Sequence, residues 1–369
     1  MRYYWGIFLF FFATLSFGLN ITLVNPTNKE ETFWALITEL MQKSALDLNV
    51  NLTVYYSDSH RIVQSELIEK IVTAKNKPDY VVFLPYGGSI IRSFNALEKA
   101  KIPFVTLERA FDINKVSEIA LPQEVYKYWL GEIYNDNVEA GKLLSSSLYH
   151  FAKENLPKEK THHAIAINGD YYAESLDRAE GFSHFYKSKN DVIINQILPA
   201  RWSREEAGRL FLKLHHRYEK NEIVWAASDQ MALGVLDVIE QTGLMPNKDF
   251  FLGGFDLIPE AIKAIEDNRM TASVGGHFLQ GAWALIKIYD HHHNVPNVFK
   301  KGDSTPFIKP SVIDRYNIDQ YKVLADRKNL SKVDFSKFSV HHNSLNDDKQ
   351  YQLTLESFIE KLNVSLQIQ

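Results

Sequence analysis

Short apolar runs alternate with longer amphipathic stretches along most of the chain. The runs at 20–24, 52–56, 80–84 and 104–107 read as strands, rich in Ile, Leu, Val, Phe and Tyr. The stretches at 31–48, 62–74 and 89–100 carry apolar residues at helical spacing and read as the helices between them. The rhythm then repeats. Strands are expected at 164–167, 193–198, 223–226, 251–253 and 271–274, with helices at 177–187, 203–218, 229–241 and 259–267. Such alternation predicts parallel sheets covered by helices on both faces. Two successive runs of it predict an α/β protein of two doubly wound parallel-sheet lobes. The weak run 130–133 is expected to open the second lobe, with the lobe boundary near Trp129.

The segment 223–236, IVWAASDQMALGVL, localises the chemistry most sharply. A short strand of residues buried on both faces ends at Ala227, Ser228 and Asp229, and a helix starts at once. Asp229 is placed to cap that helix by accepting orphan N–H groups. Ser228 beside it is the candidate ligand contact, because open α/β sheets build their ligand sites beyond the carboxyl ends of strands.

Composition narrows the setting. Met1-Arg2, an apolar stretch over 5–15 and the small residues of Ser16-Phe17-Gly18 have the form of a secretory leader cleaved after Gly18. The apolar run is about half of the ~20 residues that span a bilayer. Loss of Arg2 takes the formal charge from −4 to −5, so no electrostatic footprint for nucleic acid is present. The chain has no cysteine, which excludes disulfides, thiol catalysis and cysteine metal sites. The His291-His292-His293 run falls at a helix end and, like His162-His163, His215-His216 and His341-His342, reads as surface. Tyr86-Gly87-Gly88-Ser89 reads as a plain turn, without phosphate-loop spacing. No metal site, no cofactor and no catalytic triad is expected. The segment 326–348 is polar and charged, and 350–362 has the pattern of one amphipathic helix; a disordered or docking tail is expected.

The other candidate residues cluster at strand ends: Phe33-Trp34, Glu108-Arg109, Asp177-Arg178, Trp202 and Phe255-Asp256. Aromatic faces mixed with guanidinium and carboxylate groups describe a pocket for a small polar ligand with apolar faces, such as a sugar. Taken singly, each has a plainer reading: core packing for Phe33-Trp34, a solvated ion pair or cap for Glu108-Arg109.

On Ser228–Gly234 (SDQMALG), Gly253–Asp256 (GGFD) and Asp177–Phe182 (DRAEGF), the chain resembles the type 1 periplasmic binding proteins, which include ribose- and galactose-type receptors and the autoinducer-2 receptor. The likeness covers roughly 20–312. It implies two lobes joined by a hinge crossed three times, near 127–130, 275–278 and 309–312. The implied units are a leader, 1–18; an N-terminal lobe, 19–129 plus 278–307; a C-terminal lobe with hinge, 130–275 plus 308–324; and a tail, 325–369. By the same likeness Phe33 and Trp34 cover one sugar face and Trp202 supplies the second aromatic wall. Glu108, where the family usually has Asp, and Arg109 end the fourth strand. Arg178 meets ring or hydroxyl oxygens and Asp256 accepts hydroxyl hydrogens. Ser228 stands where sugar binders often carry Asn. Gly275-Gly276 replaces the usual hinge residues, leaving His277 as the candidate polar substitute.

The function implied is a monomeric periplasmic receptor for a sugar or similar polyol. Its membrane partner would be an ABC-transporter permease or a sensor such as a histidine kinase or diguanylate cyclase. Two other classes compete: an exported α/β enzyme, and a ribose-repressor-type transcription regulator. The leader and the missing N-terminal helix-turn-helix count against the regulator.

Overall fold

The computed structural model describes residues 18–109, 119–157, 161–343 and 351–367. The expected leader, up to Phe17, lies outside the described residues. Strands β1 (Asn20–Asn25), β2 (Asn51–Tyr56), β3 (Tyr80–Phe83), β4 (Phe104–Leu107) and β5 (Trp129–Ile133) form one parallel sheet in the order β2-β1-β3-β4-β5. A second sheet holds β6 (His162–Asn168), β7 (Val192–Pro199), β8 (Ile223–Ala226), β9 (Phe251–Phe255), β10 (Ala272–Gly275) and β11 (Ser311–Asp314), in the order β11-β10-β9-β8-β6-β7. Among the described residues only β11 runs antiparallel, against β10. The fold is therefore the α/β pair of doubly wound lobes that the alternation predicts. In each sheet the order reverses beside the first strand, and that switch point opens a crevice at the carboxyl ends.

The continuous apolar runs are explained by burial: every residue of β3, β4, β8, β9 and β10 is buried. The edge strand β7 alternates partly exposed positions instead. The expectation for 130–133 needs correction. This strand pairs with β4 and completes the first sheet rather than opening the second. Its side chains are all buried, so hydrophobic patterning could not tell which sheet it joins. The first crossing consequently lies at 134–136, after β5, and not at 127–130. Asn135 there bridges Ile308 on the third crossing. The second crossing falls at Gly276, whose φ of +123° is open to glycine and costly for other residues.

Of the two expectations for the tail, docking holds for its described residues and disorder does not. Helix Leu355–Gln367 forms, and Leu330, Val333, Phe335, Phe338, Leu355, Phe358 and Leu362 are buried in the first-lobe core. Phe338 lies 4.9 Å from Trp283 between ring centroids. The buried carboxylate of Asp290 anchors the segment by accepting from the Ser339 hydroxyl, the Val340 and His341 amides and the Tyr351 hydroxyl. Spacing between its apolar residues is irregular, which is why the composition looks disordered. The segment is a docked part of the lobe.

Candidate functional site

Arg178 is the centre of the interlobe crevice. It sits on helix Ala173–Lys187, one turn below the carboxyl end of β6, and is 4 % exposed. Gly141 fixes its depth: a Cβ there would stand 2.2 Å from the Arg178 carbonyl oxygen, so only glycine lets helix Asn137–Asn155 approach this closely. The guanidinium spends most of its donors within the protein. Nε donates to Asn137 Oδ1 at 2.9 Å and Nη1 to the Ala227 carbonyl at 2.7 Å. Nη1 also stands 3.5 Å from Asp256 Oδ1. The ring of Phe255 lies 4.9 Å below the cation and that of Trp202 5.8 Å away, both within cation–π range.

His277, fully buried on the second crossing, closes the cluster. Its Nε2 is 3.1 Å from Asp256 Oδ1 and 3.1 Å from Arg178 Nη2. A single ring nitrogen can donate to the carboxylate or accept from the guanidinium, but not both. The arrangement is therefore unsatisfied in the protein alone. A hydroxyl, which donates and accepts together, would reconcile the three groups. Phe33 of the first lobe covers the His277 ring at 4.8 Å and packs against the cores of both lobes. Trp34 meets Phe33 edge-on at 6.0 Å and packs on the first-lobe side.

Trp202 stands over the rim of the second lobe. Its indole lies flat on Gly169, where a Cβ would meet the ring at 2.3 Å, and its Nε1 donates to Asp170 at 2.8 Å. The cap expected at Asp229 is supplied by Ser228, and Asp229 is an internal structural acid. Ser228 is the helix cap, its hydroxyl accepting from the Met231 amide. Asp229 is fully buried; it accepts from the Ser273 hydroxyl at 2.7 Å and the Ile258 amide at 3.0 Å. It thereby holds the loop that carries Asp256. Burial, with the Asp256 charge adding, pushes its carboxyl well above the usual range. The one-residue shift of the cap arises because a cap is defined by backbone geometry, and either side chain qualifies by type.

At the other end of the crevice, Glu108 is 3 % exposed and its Oε2 has no hydrogen-bond partner among the described residues. Arg109 donates to the Tyr134 hydroxyl at 3.1 Å and lies 4.9 Å from that ring's centroid. A cavity of about 260 Å³ opens here between Arg109, Tyr134 and Pro306 on one side and Asn137, Glu174 and Asp177 on the other. It is below the ~300–1,000 Å³ of drug-sized pockets, hence of monosaccharide scale. A larger hollow beside Tyr55 and Tyr56 is on the outer edge strand, away from the crevice. The lobes touch: the Tyr172 ring would meet a Cβ on Gly87 at 3.3 Å, so the expected plain turn at 86–89 also carries an interlobe contact.

The structure thus joins Phe33, Arg178, Trp202, Asp256 and His277 around one guanidinium, places Glu108 and Arg109 at the cavity end, and sets Trp34 and Ser228 in supporting roles. Three acids and amides escaped the sequence reading. Asn137 was hidden by the misplaced first crossing. Glu31 caps the first helix, accepting from the Phe33 and Trp34 amides; burial raises its pKa, and Asp256 adds to the shift. Glu174, in the first turn of the Arg178 helix, is pushed up to about 8 by burial and by Glu108 across the crevice. Among the histidines, His162 is fully buried rather than at the surface, and His291 pairs with the Tyr80 hydroxyl at 3.0 Å.

Comparison with known proteins bears on the family and the fold. The model of the periplasmic binding protein domain matches residues 21–292. A galactofuranose-binding protein of Escherichia coli is 27 % identical over 179 residues, which is 47 % of this chain and about half, 52 %, of that protein. The ribose import binding protein of Salmonella typhimurium is 26 % identical over 69 % of this chain and 76 % of its own length. A periplasmic sugar-binding protein from Pseudomonas fluorescens superposes with a TM-score of 0.78 at 23 % identity, over 92 % of this chain and 99 % of that one.

Proposed function

This chain belongs to the periplasmic binding protein family, and from that premise we propose that it is a solute receptor whose lobes close on a sugar or similar small polyol. It acts in the periplasm and passes its ligand to an ABC-transporter permease or reports it to a membrane sensor. The carrying observation is the unsatisfied triad of Arg178, Asp256 and His277, closed over by Phe33 from the opposite lobe. Carboxylate and guanidinium groups make charge-assisted bonds to hydroxyls, and aromatic rings cover the C–H faces between them. Closure is driven by whatever contacts the ligand adds to the second lobe it meets. The relatives named for galactofuranose and ribose binding support a sugar-sized ligand. The family's members are binding proteins, which favours a receptor over an exported enzyme or a repressor.

In this reading Phe33, Trp202 and His277 wall the ligand, while Glu108, Arg109, Arg178 and Asp256 bond its hydroxyls. Trp34 buttresses Phe33, and Ser228 supports the loop end. The test is a thermal-shift and calorimetric screen of monosaccharides and polyols. Stabilisation without turnover is expected, and Arg178→Ala and Asp256→Ala are each expected to abolish it. Normal binding by both variants would sink the site assignment.

A further inference from the structure

The first crossing carries a further buried polar side chain at the crevice. Asn135, two residues past the end of β5, is 1 % exposed and lines the cavity of about 260 Å³. The third crossing fixes its backbone: Asn135 bridges Ile308, and the Phe307 and Ile308 amides donate to the Tyr134 carbonyl at 3.0 and 2.9 Å. Its neighbour fixes which way the amide faces. Asn137 Oδ1 accepts from Arg178 Nε at 2.9 Å, so the Asn135 atom 3.4 Å from that oxygen is the donor, Nδ2. Asn135 Oδ1 is turned away from it and has no hydrogen-bond partner among the described residues. A buried amide oxygen without a donor is costly. Arg109, on the wall of the same cavity, has the converse need. Its Nη2 is spent on the Tyr134 hydroxyl, and its buried Nε has no partner among the described residues. A carboxylate can serve only Arg109, and an ammonium only Asn135. A hydroxyl both donates and accepts, so it serves either.

We propose that Asn135 is a specificity-determining residue of the receptor: its Oδ1 accepts from a ligand hydroxyl in the cavity, while Arg109 Nε donates to the same end of the ligand. This rests on the receptor reading above and narrows the ligand to a neutral sugar or polyol with a free hydroxyl at that end. A ligand lacking that hydroxyl leaves the amide oxygen buried and unpaired, which is how a site built to bond a hydroxyl rejects its absence.

The test is isothermal titration of the purified protein at neutral pH with D-ribose, D-allose, D-galactose and myo-inositol, followed by the full set of monodeoxy forms of the tightest binder. Asn135→Ala should weaken binding of the parent by about 10-fold, the weight of a buried hydroxyl left without its acceptor. One deoxy form should lose about as much on the unaltered protein, and for that form alone the Ala variant should bind within about threefold of the unaltered protein, because contacting groups are not additive. The other deoxy forms should keep the full effect of the substitution. Thermal melting of the unliganded variant verifies that it folds, and Asn135→Leu, of the same branched shape, replaces it if it does not. An equal loss for the parent and every deoxy form would make Asn135 a structural hinge residue and overturn the proposal, as would unchanged affinity; both leave the receptor reading intact. Binding of none of the four parents by the unaltered protein would overturn both.

Discussion

Truncating one tail residue, Phe358→Ala, discriminates between an appendage and a structural part of the first lobe. Phe358 is fully buried, with its ring 6.1 Å from Phe278 and 6.0 Å from Phe335. Phe→Ala in a core costs about 3–5 kcal/mol, from lost transfer energy and the cavity left behind. Two aromatic neighbours place the site toward the upper part of that range, since such pairs add ~0.5–1.5 kcal/mol beyond area. In urea the first unfolding transition should shift down by about 1.3–2.5 M, taking a slope of ~2–3 kcal/mol per M. Hydrogen exchange should locate the loss: faster exchange in the helices Thr32–Asp47 and Gln280–His292, little change in β6, β8 and β9. The neighbouring segment 278–280 enters the hinge, so ligand affinity should weaken as well. A shift of less than about 0.5 kcal/mol, the range of ordinary surface substitutions, would refute the claim that the tail belongs to the core.

Three further outcomes follow from the site. Gly141→Ala should destabilise the second lobe and lower ligand affinity together, because its Cβ would sit 2.2 Å from the Arg178 carbonyl and push the guanidinium's helix outward; unchanged affinity in a folded variant would show that the close approach does not set Arg178. Gly169→Ala should lift the Trp202 indole off the rim and change Trp fluorescence on ligand addition, with melting nearly unaltered; an unchanged fluorescence response would sever Trp202 from the ligand. For the unliganded protein, the raised Glu174 makes the closed state bind an extra proton between about pH 4.5 and 8. Closure is fully tolerated below that window, is lost progressively as pH rises through it at no more than about 1.4 kcal/mol per pH unit, and is flat above; small-angle scattering that finds the same compactness at pH 6 and pH 9 would remove Glu174 from the balance.

The fold was legible because its instruction is local. A strand buried on both faces must be apolar, and a covering helix must repeat its apolar positions at 3.6 residues, so β1, β3, β4, β6, β8, β9 and β10 stand out in sequence, while the partly exposed edge strands β2 and β7 are marked by their place between two helices. Partner choice is not local. Residues 130–133 read as a strand, yet nothing in LGEI says that β4 rather than β6 is its neighbour. The tail is illegible for a related reason. Leu330, Val333, Phe335 and Phe338 follow no helical or strand period, and their burial depends on Asp290, some fifty positions earlier, collecting four donors from the returning chain.

The site divides along the same line. Residue types at strand ends picked out Arg178, Asp256 and Phe33, because the winding of an open sheet brings those ends together whatever lies between. What the types could not reveal is how much bonding capacity each retains. Arg178, the residue most expected to grip a ligand, is largely consumed by Asn137 and the Ala227 carbonyl, which arrive from two other strand ends. Its remaining capacity is on Nη2, which faces a histidine nitrogen already beside Asp256. Glu108 holds the opposite position: it is buried, and its Oε2 has no hydrogen-bond partner among the described residues. A swap of Arg178 should therefore abolish binding of every ligand alike, because the Asn137 side chain and the Ala227 carbonyl lose their common partner with it.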